Sequence, residues 1–456
     1  MMSVAEAALA IGGRAQGAPV RFTSVSSDSR AVEAGALFVA LRGERFDGHD
    51  FIDAACVRGA VAAMVDEQDT RVGIQDSRVA LLIVEDTRLG LRRLALHWRS
   101  GFKIPLVAVT GSNGKTTVKE MIAAIFAAHF GTEGALATEG NLNNDIGVPL
   151  TLLRLRPNHR AAVVELGMNH RGETALLAAI ARPTVALVNN AQREHQEFMQ
   201  GIADVAREHG DVLTSLPTDG VAVINADDEF ADYWRALAGE RLVRDFGLER
   251  AAAVSARYAL TKFGADLDLI APEGRIGFPI SVAGVHNVRN ALAAAAAATA
   301  VGASLDAVAT GLSAFRGVKG RLQTKPGRNG CTVIDDTYNA NPDSVRAAIE
   351  VLQRMPGRRI LVLGDMGEVG EQGEAFHREA GRFAAQMGVD ELLATGNLAR
   401  HATGEFGQGG SWHARIEDLC AEILSRAVPG AAILVKGSRF MHMERVVAVL
   451  APEDKR

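Results

Sequence analysis

The stretch Thr110-Gly111-Ser112-Asn113-Gly114-Lys115-Thr116-Thr117 decides the fold of this 456-residue chain. The apolar segment Ile104-Pro105-Leu106-Val107-Ala108-Val109 precedes it and predicts a buried strand, and a helix is predicted from Thr116 to about Ala128. A strand, a glycine-rich loop and a helix in this order are typical of a phosphate site. Glycines let backbone N–H groups surround an anion, and the N-terminus of the helix attracts it. We therefore expect a nucleoside triphosphate on this loop.

The loop matches only part of the common phosphate-binding pattern. Gly114, Lys115 and Thr116 are in place, but Val109 stands where the pattern has its first glycine, and Gly111 supplies a glycine two residues later. Lys115 is expected to reach the β- and γ-phosphates, and the Thr116 hydroxyl is expected to face Mg²⁺. The alternative is a glycine turn before a helix that merely contains a lysine. The buried strand before the loop and the helix after it argue against that alternative.

The wider pattern predicts an α/β protein of three domains. Residues 1–101 mix short strands with turns, and residues 102–318 alternate strands with helices, which implies a mostly parallel central sheet of the phosphate-loop type. A β-rich stretch near 254–283 is predicted to precede the last helix of this second domain, at 286–301. Residues 319–456 repeat the alternation as a smaller, Rossmann-like domain.

Composition and charge narrow the range of functions. The net charge of −5 argues against a nucleic-acid-binding surface, which carries a basic excess. Cys56, Cys331 and Cys420 form no CxxC pair, so neither a zinc site nor a disulfide framework is predicted. The N-terminus lacks the features of a signal peptide, and the apolar run at 291–301 is too short to span a bilayer. We expect a cytoplasmic monomer with no nucleic-acid partner and no membrane span.

Motifs along almost the whole chain resemble the Mur ligase family. The loop TGSNGKTT is followed by further strings in the order in which the family has them. They are TEGNLNN (138–144), GVP (147–149), ELGM (165–168), NN (189–190), His195, GVHN (284–287), NAL (290–292), Gly320-Arg321, DDTYNANP (335–342), GDMGE (364–368) and KGSR (436–439). The N-terminal strings SDSR (27–30) and GALFVAL (35–41) resemble the UDP-binding domain of the late-acting members.

The resemblance implies an ATP- and Mg²⁺-dependent amide ligase of peptidoglycan precursor synthesis. DDTYNANP, GDMGE and KGSR resemble the member that joins D-Ala-D-Ala to UDP-N-acetylmuramoyl-tripeptide (UDP-MurNAc-tripeptide), and the DNPR string of the member that adds meso-diaminopimelate is absent. In the implied reaction, ATP phosphorylates the terminal carboxylate of the tripeptide, and the amine of D-Ala-D-Ala attacks the acyl phosphate. The sequence leaves open whether the third residue of the tripeptide is meso-diaminopimelate or lysine.

The resemblance also implies roles for individual residues. The implied catalytic residues are Lys115, Glu165, His195 and Arg321, and the implied magnesium contacts are Thr116, Glu165 and His195. ATP is expected on Thr110, Gly111, Ser112, Asn113, Gly114, Lys115, Thr116, Thr117, Asn287, Arg321, Asp336, Asn339 and Asn341, with Tyr338 beside them. UDP-MurNAc-tripeptide is expected on Ser29, Arg30, Thr138, Asn141, Asn143 and Asn144, and D-Ala-D-Ala on Ser438 and Arg439. A turn-and-cap function for residues 336–341 and a packing function for His286 remain alternatives.

One position departs from the family. Many members carry a lysine, carbamylated by CO₂, in the helix after the His195 region, where it binds a second magnesium. The matching segment here is Val205-Ala206-Arg207-Glu208-His209-Gly210-Asp211, which has His209 where the lysine is expected. A histidine cannot form a carbamate. We therefore predict that this protein has no carbamyl-lysine and that Glu208, His209 or water takes over its role.

Two other functions compete with this interpretation. The first is a ligase of the same chemistry, such as a folylpolyglutamate synthetase-like or cyanophycin-type enzyme, which would act without a UDP-sugar; the UDP-type N-terminal domain argues against it. The second is a nucleotide-binding scaffold without catalysis. Glu165, His195 and Arg321 argue against the scaffold, because a protein that only binds nucleotide does not need all three.

Overall fold

The structure, a computed structural model, describes residues 1–69 and 79–452. The first part of the chain is built around a five-stranded sheet, and its elements follow in chain order. They are β1 (Met2–Ser3), α1 (Val4–Ile11), β2 (Arg14–Gln16), β3 (Arg21–Phe22), β4 (Ser24–Ser26), β5 (Ala36–Val39), α2 (Ile52–Val57), β6 (Ala62–Asp66), β7 (Ala80–Val84) and α3 (Thr87–Ser100). The strand order is β2-β7-β6-β5-β4, in which only β2 runs antiparallel to its neighbour. Every residue of β5, β6 and β7 is buried, as in a sheet covered on both faces.

The second part contains the phosphate loop. Its elements are β8 (Leu106–Thr110), α4 (Lys115–Phe130), β9 (Ala135–Ala137), α5 (Gly147–Leu152), β10 (Ala161–Glu165), α6 (Glu173–Ala181), β11 (Val185–Val188), α7 (Ile202–Thr214), β12 (Val221–Asn225), α8 (Ala231–Ala238), β13 (Leu242–Phe246), β14 (Ser255–Leu260), β15 (Ala265–Ala271), β16 (Gly274–Ile280), α9 (Val285–Ala300) and α10 (Leu305–Ala314). Six of the strands form a fully parallel sheet, ordered β13-β12-β11-β8-β10-β9. Strands β14, β15 and β16 form a separate antiparallel sheet.

The strand order of the parallel sheet determines where ligands can bind. Strand β8 pairs with β10 on one side and with β11 on the other. The order in which the chain adds strands to the sheet therefore reverses at β8. In open α/β sheets, ligands bind outside the carboxyl ends of the strands at such a switch point. The phosphate loop leaves the end of β8, Glu165 ends β10, and Asn189 follows β11. Side chains from three neighbouring strands therefore meet at one edge of the sheet.

The third part is a smaller, mixed sheet flanked by helices. Its elements are β17 (Gln323–Pro326), β18 (Thr332–Asp336), α11 (Pro342–Gln353), β19 (Arg359–Leu363), α12 (Gly373–Gln386), β20 (Glu391–Thr395), α13 (Arg400–Phe406), β21 (Gly410–His413), α14 (Ile416–Arg426), β22 (Ala432–Lys436) and α15 (Glu444–Leu450). The order is β17-β18-β22-β19-β20-β21, and only β17 is antiparallel to its neighbour. The predicted α/β class with three such parts is confirmed, and the exact boundaries at residues 101 and 318 stay predictions.

One prediction about the order of the helices is wrong. The helix predicted at 286–301 is not the last of the second part, because α10 follows it and packs on α4. The packing is close: a Cβ atom added at Gly311 of α10 would lie 2.6 Å from both Cα and N of Ile125 in α4. The alanine-rich α9 packs on α4 as well, and its residues Ala293–Ala298 are fully buried. Small side chains therefore let both helices lie against the helix that carries the phosphate loop.

Within residues 1–69 and 79–452, no helix combines the length and the apolar character that crossing a bilayer requires.

The contact of α10 with α4 generates a stability prediction. Gly311→Ala is expected to lower the free energy of unfolding by about 1–3 kcal/mol, because the new methyl group meets backbone that cannot move aside. Gly404→Ala in α13 is the matched control, since no described atom lies within 4 Å of its Cβ position. Its expected effect is a gain of up to about 1 kcal/mol from helix propensity. Calorimetric melting of the two variants checks this, and an unchanged or raised melting temperature for Gly311→Ala would contradict the packing.

Candidate active site

A large cavity lies at the switch point of the parallel sheet. Its volume is about 1160 Å³, and all three parts of the chain line it, the first part through Arg88 and Arg92 of α3. That size exceeds the common range for one small-molecule site, roughly 300–1,000 Å³. The cavity therefore has room for a nucleotide together with the reacting end of a second molecule.

The phosphate loop is held in shape by a set of asparagine amides. Asn113 N–H donates to Asn190 Oδ1 (2.8 Å), and the carbonyl of Asn113 accepts from Asn189 Nδ2 (2.8 Å) and Asn190 Nδ2 (3.0 Å). Ser112 N–H donates to the carbonyl of Asn190 (3.0 Å). Gly114 has φ +84°, and a Cβ there would lie 2.5 Å from Asn290 Oδ1. Only glycine fits this position, on steric and on conformational grounds.

The loop leads directly into the positive end of α4. Gly114 is the cap residue, and no described side chain accepts a hydrogen bond from the first turn. The first N–H groups of the helix are therefore available to an anion. The Lys115 ammonium group donates to the carbonyls of Gly111 and Ser112 and lies 3.4 Å from Glu194 Oε2. Lys115 is thus poised within the loop and can turn toward a bound phosphate.

Glu165 faces the same cavity from the end of β10. Its Oε1 accepts a hydrogen bond from Asn143 Nδ2 (2.7 Å), whereas Oε2 is buried and has no hydrogen-bond partner among the described residues. A buried carboxylate oxygen without a donor is costly unless a cation or another donor reaches it. The carboxylate therefore fits a hard cation such as Mg²⁺.

The described residues contain no group of three or more His, Cys, Asp or Glu side chains arranged to hold a metal ion. Mg²⁺ commonly takes one or two protein carboxylates and completes its shell with phosphate oxygens and water. A magnesium ion held by Glu165 would therefore need phosphate and water oxygens to complete its shell.

His195 lies where the second and third parts of the chain touch. Its Nδ1 is 2.6 Å from Glu368 Oε2, and the Glu197 N–H donates to the carbonyl of Glu368 (3.2 Å). His195 has φ +49° and Glu368 has φ +56°. Residues other than glycine rarely adopt this left-handed backbone region. Two strained residues in contact across a domain boundary are typical of a functional site.

His209 does not face the cavity as a free ligand. It is fully buried in α7, its Nδ1 lies 2.8 Å from the Thr110 hydroxyl, and its Nε2 lies 2.7 Å from Glu194 Oε1. Of the three alternatives for the carbamate role, which are Glu208, His209 and water, Glu208 is engaged elsewhere. Both oxygens of Glu208 accept hydrogen bonds from N–H groups of Gly172 and Thr174 at the start of α6 (2.7 Å each).

The third part of the chain reaches the phosphate loop at two points. Arg321 Nη2 donates to the Thr116 hydroxyl (2.9 Å), and its guanidinium lies 4.2 Å from the centre of the Tyr338 ring. Asn341 Nδ2 donates to Asn113 Oδ1 (3.0 Å), and Asn113 Nδ2 donates back to Asn341 Oδ1 (3.3 Å). The structure thus brings Arg321 and Asn341 to the loop, as the sequence predicted for ATP-binding residues.

The nucleotide residues predicted outside the loop lie on the same cavity, whereas Thr110 and Gly111 of the loop are not part of its lining. Asn287, at the start of α9, donates to the Ala283 carbonyl (2.8 Å) and accepts from Asn290 Nδ2 (3.0 Å). Asp336 accepts from the buried Lys436 ammonium group (2.6 Å), which also donates to the carbonyl of Asn339 (2.9 Å). His286 lines the cavity as well. Lys436 therefore fixes the turn that carries Asp336 and Asn339.

The predicted substrate residues divide into two sets. Those that line the cavity are Asn143, Asn144, Ser438 and Arg439. Those outside its lining are Ser29, Arg30, Thr138 and Asn141. Thr138 is buried, and its hydroxyl accepts the N–H of Glu165 (3.0 Å), so it positions Glu165 instead of facing the cavity. Arg30 is exposed and pairs with Asp28 (2.9 Å).

Sequence reasoning missed two charged residues between Asn190 and His195. Arg193 donates to Asp343 (2.6 Å) and Glu379 (2.8 Å), both in the third part of the chain. These carboxylates hold the pKa of Arg193 far above its usual value, although burial opposes them. Glu194 contacts Lys115, His195 and His209. Their position in the sequence could have indicated both residues, because they lie in the loop after the buried strand β11 and beside a predicted catalytic histidine.

Comparison with known proteins supports one family along the chain. Residues 21–99 match the Mur ligase family catalytic domain, residues 109–298 the Mur ligase middle domain, and residues 320–439 the Mur ligase glutamate ligase domain. The UDP-N-acetylmuramoyl-tripeptide–D-alanyl-D-alanine ligase of Escherichia coli K12 is 42% identical, over 96% of each chain. A MurF structure from Acinetobacter baumannii superposes with a TM-score of 0.89 at 34% identity, over 98% of each chain. MurF ligase from Thermotoga maritima, in complex with ADP, gives 0.81 at 26% identity, over 93% of this chain and 96% of that one.

The tight fit at Gly114 generates a binding prediction. Gly114→Ala is expected to weaken ATP binding by roughly 5- to 150-fold, because overpacking by one methyl group costs about 1–3 kcal/mol. Gly172→Ala is the matched control: Gly172 caps α6 with φ +86°, yet no described atom lies within 4 Å of its Cβ position. Calorimetric titration with ATP compares the two variants. Equal losses of affinity would show that the asparagine contacts do not matter.

The Arg193 contacts generate a prediction about domain closure. Arg193→Ala removes charged hydrogen bonds across the boundary and is expected to shift the equilibrium toward an open form by about 1–3 kcal/mol. The expected readout is a larger radius of gyration in small-angle X-ray scattering. Arg346→Ala is the control, because Arg346 pairs with the same Glu379 but within the third part of the chain. If both variants scatter like the unchanged protein, Arg193 does not hold the domains together.

Proposed function

The chain belongs to the Mur ligase family, and we propose that its site joins D-Ala-D-Ala to UDP-MurNAc-tripeptide with ATP as the energy source. The protein is an ATP-dependent, amide-forming ligase of peptidoglycan synthesis. The observation that carries the assignment of roles is the contact of Arg321 with Thr116. It brings a cation from the third part of the chain onto the phosphate loop of the second.

The reaction needs two anions to approach each other. An oxygen of the tripeptide carboxylate attacks the γ-phosphorus of ATP, giving an acyl phosphate and ADP. The amine of D-Ala-D-Ala then attacks the acyl carbon, and the tetrahedral intermediate releases phosphate and leaves the amide. Positively charged groups fixed in advance around the reacting oxygens are the main source of rate in such transfers.

Lys115 and the N-terminus of α4 receive the phosphates. The Lys115 ammonium group lies against the carbonyls of its own loop and needs only a rotation of the side chain to reach a phosphate oxygen. Arg321 reaches the same turn from the third part of the chain, stacked on Tyr338. The two cations together offset the repulsion between triphosphate and carboxylate.

Glu165 and the Thr116 hydroxyl are the residues that would hold Mg²⁺, and His195 faces the cavity near them. The buried, unpartnered Oε2 of Glu165 supports this assignment. When bound, Mg²⁺ neutralises charge on the phosphate oxygens. Asn143 orients the Glu165 carboxylate through its other oxygen, and Thr138 fixes the backbone at that point.

Closure of the third part of the chain over the loop completes the site. The contacts of Arg321, Asn341 and Glu368 with the second part are all made across that boundary. Excluding water protects an acyl phosphate from hydrolysis, which is a common reason for closure in enzymes of this kind. We infer that Ser438 and Arg439, which line the cavity from the third part, receive D-Ala-D-Ala.

The opposite end of the substrate extends toward the first part of the chain. We infer that Ser29 and Arg30 bind the uridine diphosphate there, outside the cavity, while Asn143 and Asn144 contact the peptide within it. Asn141 lies at the exposed turn between these two regions. A folylpolyglutamate-type ligase would have no use for a UDP-binding part, and a scaffold would have no use for the unpartnered Glu165 oxygen.

The reaction itself is tested by following ADP release. We expect release to depend on both UDP-MurNAc-tripeptide and D-Ala-D-Ala, and a panel of lysine and meso-diaminopimelate tripeptides identifies the third residue. Glu165→Gln is expected to lower kcat by about 100-fold or more, because it removes the charge facing the phosphates and keeps the oxygen that accepts from Asn143. Glu249→Gln, at the cavity rim, is the control. ADP release without UDP-sugar, or an unchanged kcat for Glu165→Gln, would contradict the proposal.

A further inference from the structure

Glu194 is a buried carboxylate that points into the active-site cavity. Its side chain is 7% exposed, its Oε1 lies 2.7 Å from His209 Nε2, and its Oε2 lies 3.4 Å from the Lys115 ammonium group and 3.6 Å from His195 Nε2. It lines the cavity together with Lys115, Glu165 and His195. A negative charge is thus placed beside the position that the phosphates of ATP should occupy.

The carboxylate is held from behind by a chain of hydrogen bonds. His209 is fully buried; its Nε2 lies 2.7 Å from Glu194 Oε1, and its Nδ1 lies 2.8 Å from the hydroxyl of Thr110, the last residue of β8. Because both ring nitrogens are engaged, the imidazole cannot rotate freely, and the carboxylate has a fixed direction.

In this structure the Glu194 carboxylate has a cationic partner, because its Oε2 lies 3.4 Å from the Lys115 ammonium group. The carboxylate has this cationic partner only while Lys115 rests against the loop. Once ATP binds, Lys115 has to turn to the phosphates, which leaves a buried carboxylate facing other anions. A buried charge without a partner is strongly unfavourable.

A cation between Glu194 and the phosphates removes this conflict. We propose that Glu194 is a direct oxygen ligand of a divalent cation bound together with ATP, with His195 beside it and His209 as the residue that positions the carboxylate. The proposal rests on the proposed function, because it assumes that triphosphate occupies the loop. Glu165, with its unpartnered oxygen on the same cavity, gives independent support for cation binding and would serve a separate ion.

Neighbouring carboxylates do not fit this role as well. Glu208 is committed to the start of α6, as described above. Glu368 comes from the third part of the chain and is 46% exposed, so it is not fixed before closure. Glu194 therefore occupies, with no modified side chain, the place that the family resemblance gives to a carbamyl-lysine at position 209. Cation binding should then be independent of CO₂.

The first test measures cation binding without turnover. Mn²⁺ is titrated into the protein with a non-hydrolysable ATP analogue and followed by electron paramagnetic resonance. Glu194→Gln is expected to weaken Mn²⁺ binding about tenfold or more, whereas Glu197→Gln, an exposed carboxylate on the same loop, should bind like the unchanged protein. Mn²⁺ binding by Glu194→Gln equal to that of the unchanged protein would overturn the proposal. Metal-free binding of the analogue, measured in parallel, separates a folding or Lys115 defect from a loss of cation binding.

The second test addresses His209 and CO₂. His209→Ala should weaken Mn²⁺ binding, and His209→Gln, whose amide can still donate to Glu194, should restore part of it; equal binding by the two variants would overturn the positioning role. Removing CO₂ and bicarbonate from the unchanged protein should leave Mn²⁺ binding the same. A fall in binding, restored by bicarbonate, would overturn the claim that Glu194 replaces a carbamate. None of these measurements requires the UDP-sugar, so they stand apart from the test of the ligase reaction.

Discussion

The constraint on which the site depends is electrostatic: a triphosphate and a carboxylate must come within bonding distance of each other. Each cationic or anion-binding group described above is placed to meet that requirement. Lys115 belongs to the first turn of α4, and Arg321 comes from the third part of the chain to donate to Thr116 in that turn. The buried carboxylates Glu165 and Glu194 also make sense only if cations accompany the nucleotide, since otherwise they would add to the repulsion.

The need to hold a triphosphate close to a carboxylate also explains why the phosphate loop is fixed by hydrogen bonds. Donors around an anion must be fixed before it arrives, because reorganising them during the reaction would cost much of the gain. Asn189 and Asn190 hold the loop from β11, and Asn341 holds it from the third part of the chain. Amide side chains suit this task because each donates and accepts, and none adds charge. The loop is thus shaped by neutral groups and charged only where phosphate binds.

The sequence predicted the parts of this arrangement that follow from local pattern. The strand, loop and helix around Gly114 and the glutamate at the end of β10 are visible as short motifs. Long-range packing was not visible. Helix α10 was missed because its contact with α4 depends on Gly311, an ordinary residue in sequence. Glu194 was missed because its position depends on His209, which lies 15 residues further along the chain in α7 and is brought into contact with it only by the fold. Thr138 was placed on the substrate, although burial makes it a support for Glu165.

The central claim is that this site transfers the γ-phosphoryl group of ATP onto the carboxylate of the tripeptide before the amide forms. Isotope transfer tests it most directly. UDP-MurNAc-tripeptide labelled with ¹⁸O in its terminal carboxylate is incubated with ATP and D-Ala-D-Ala, and the released inorganic phosphate is analysed by mass spectrometry. We expect one ¹⁸O atom in each phosphate formed from fully labelled substrate, because the attacking oxygen leaves with phosphorus. Phosphate free of ¹⁸O, alongside normal amide formation, would contradict it.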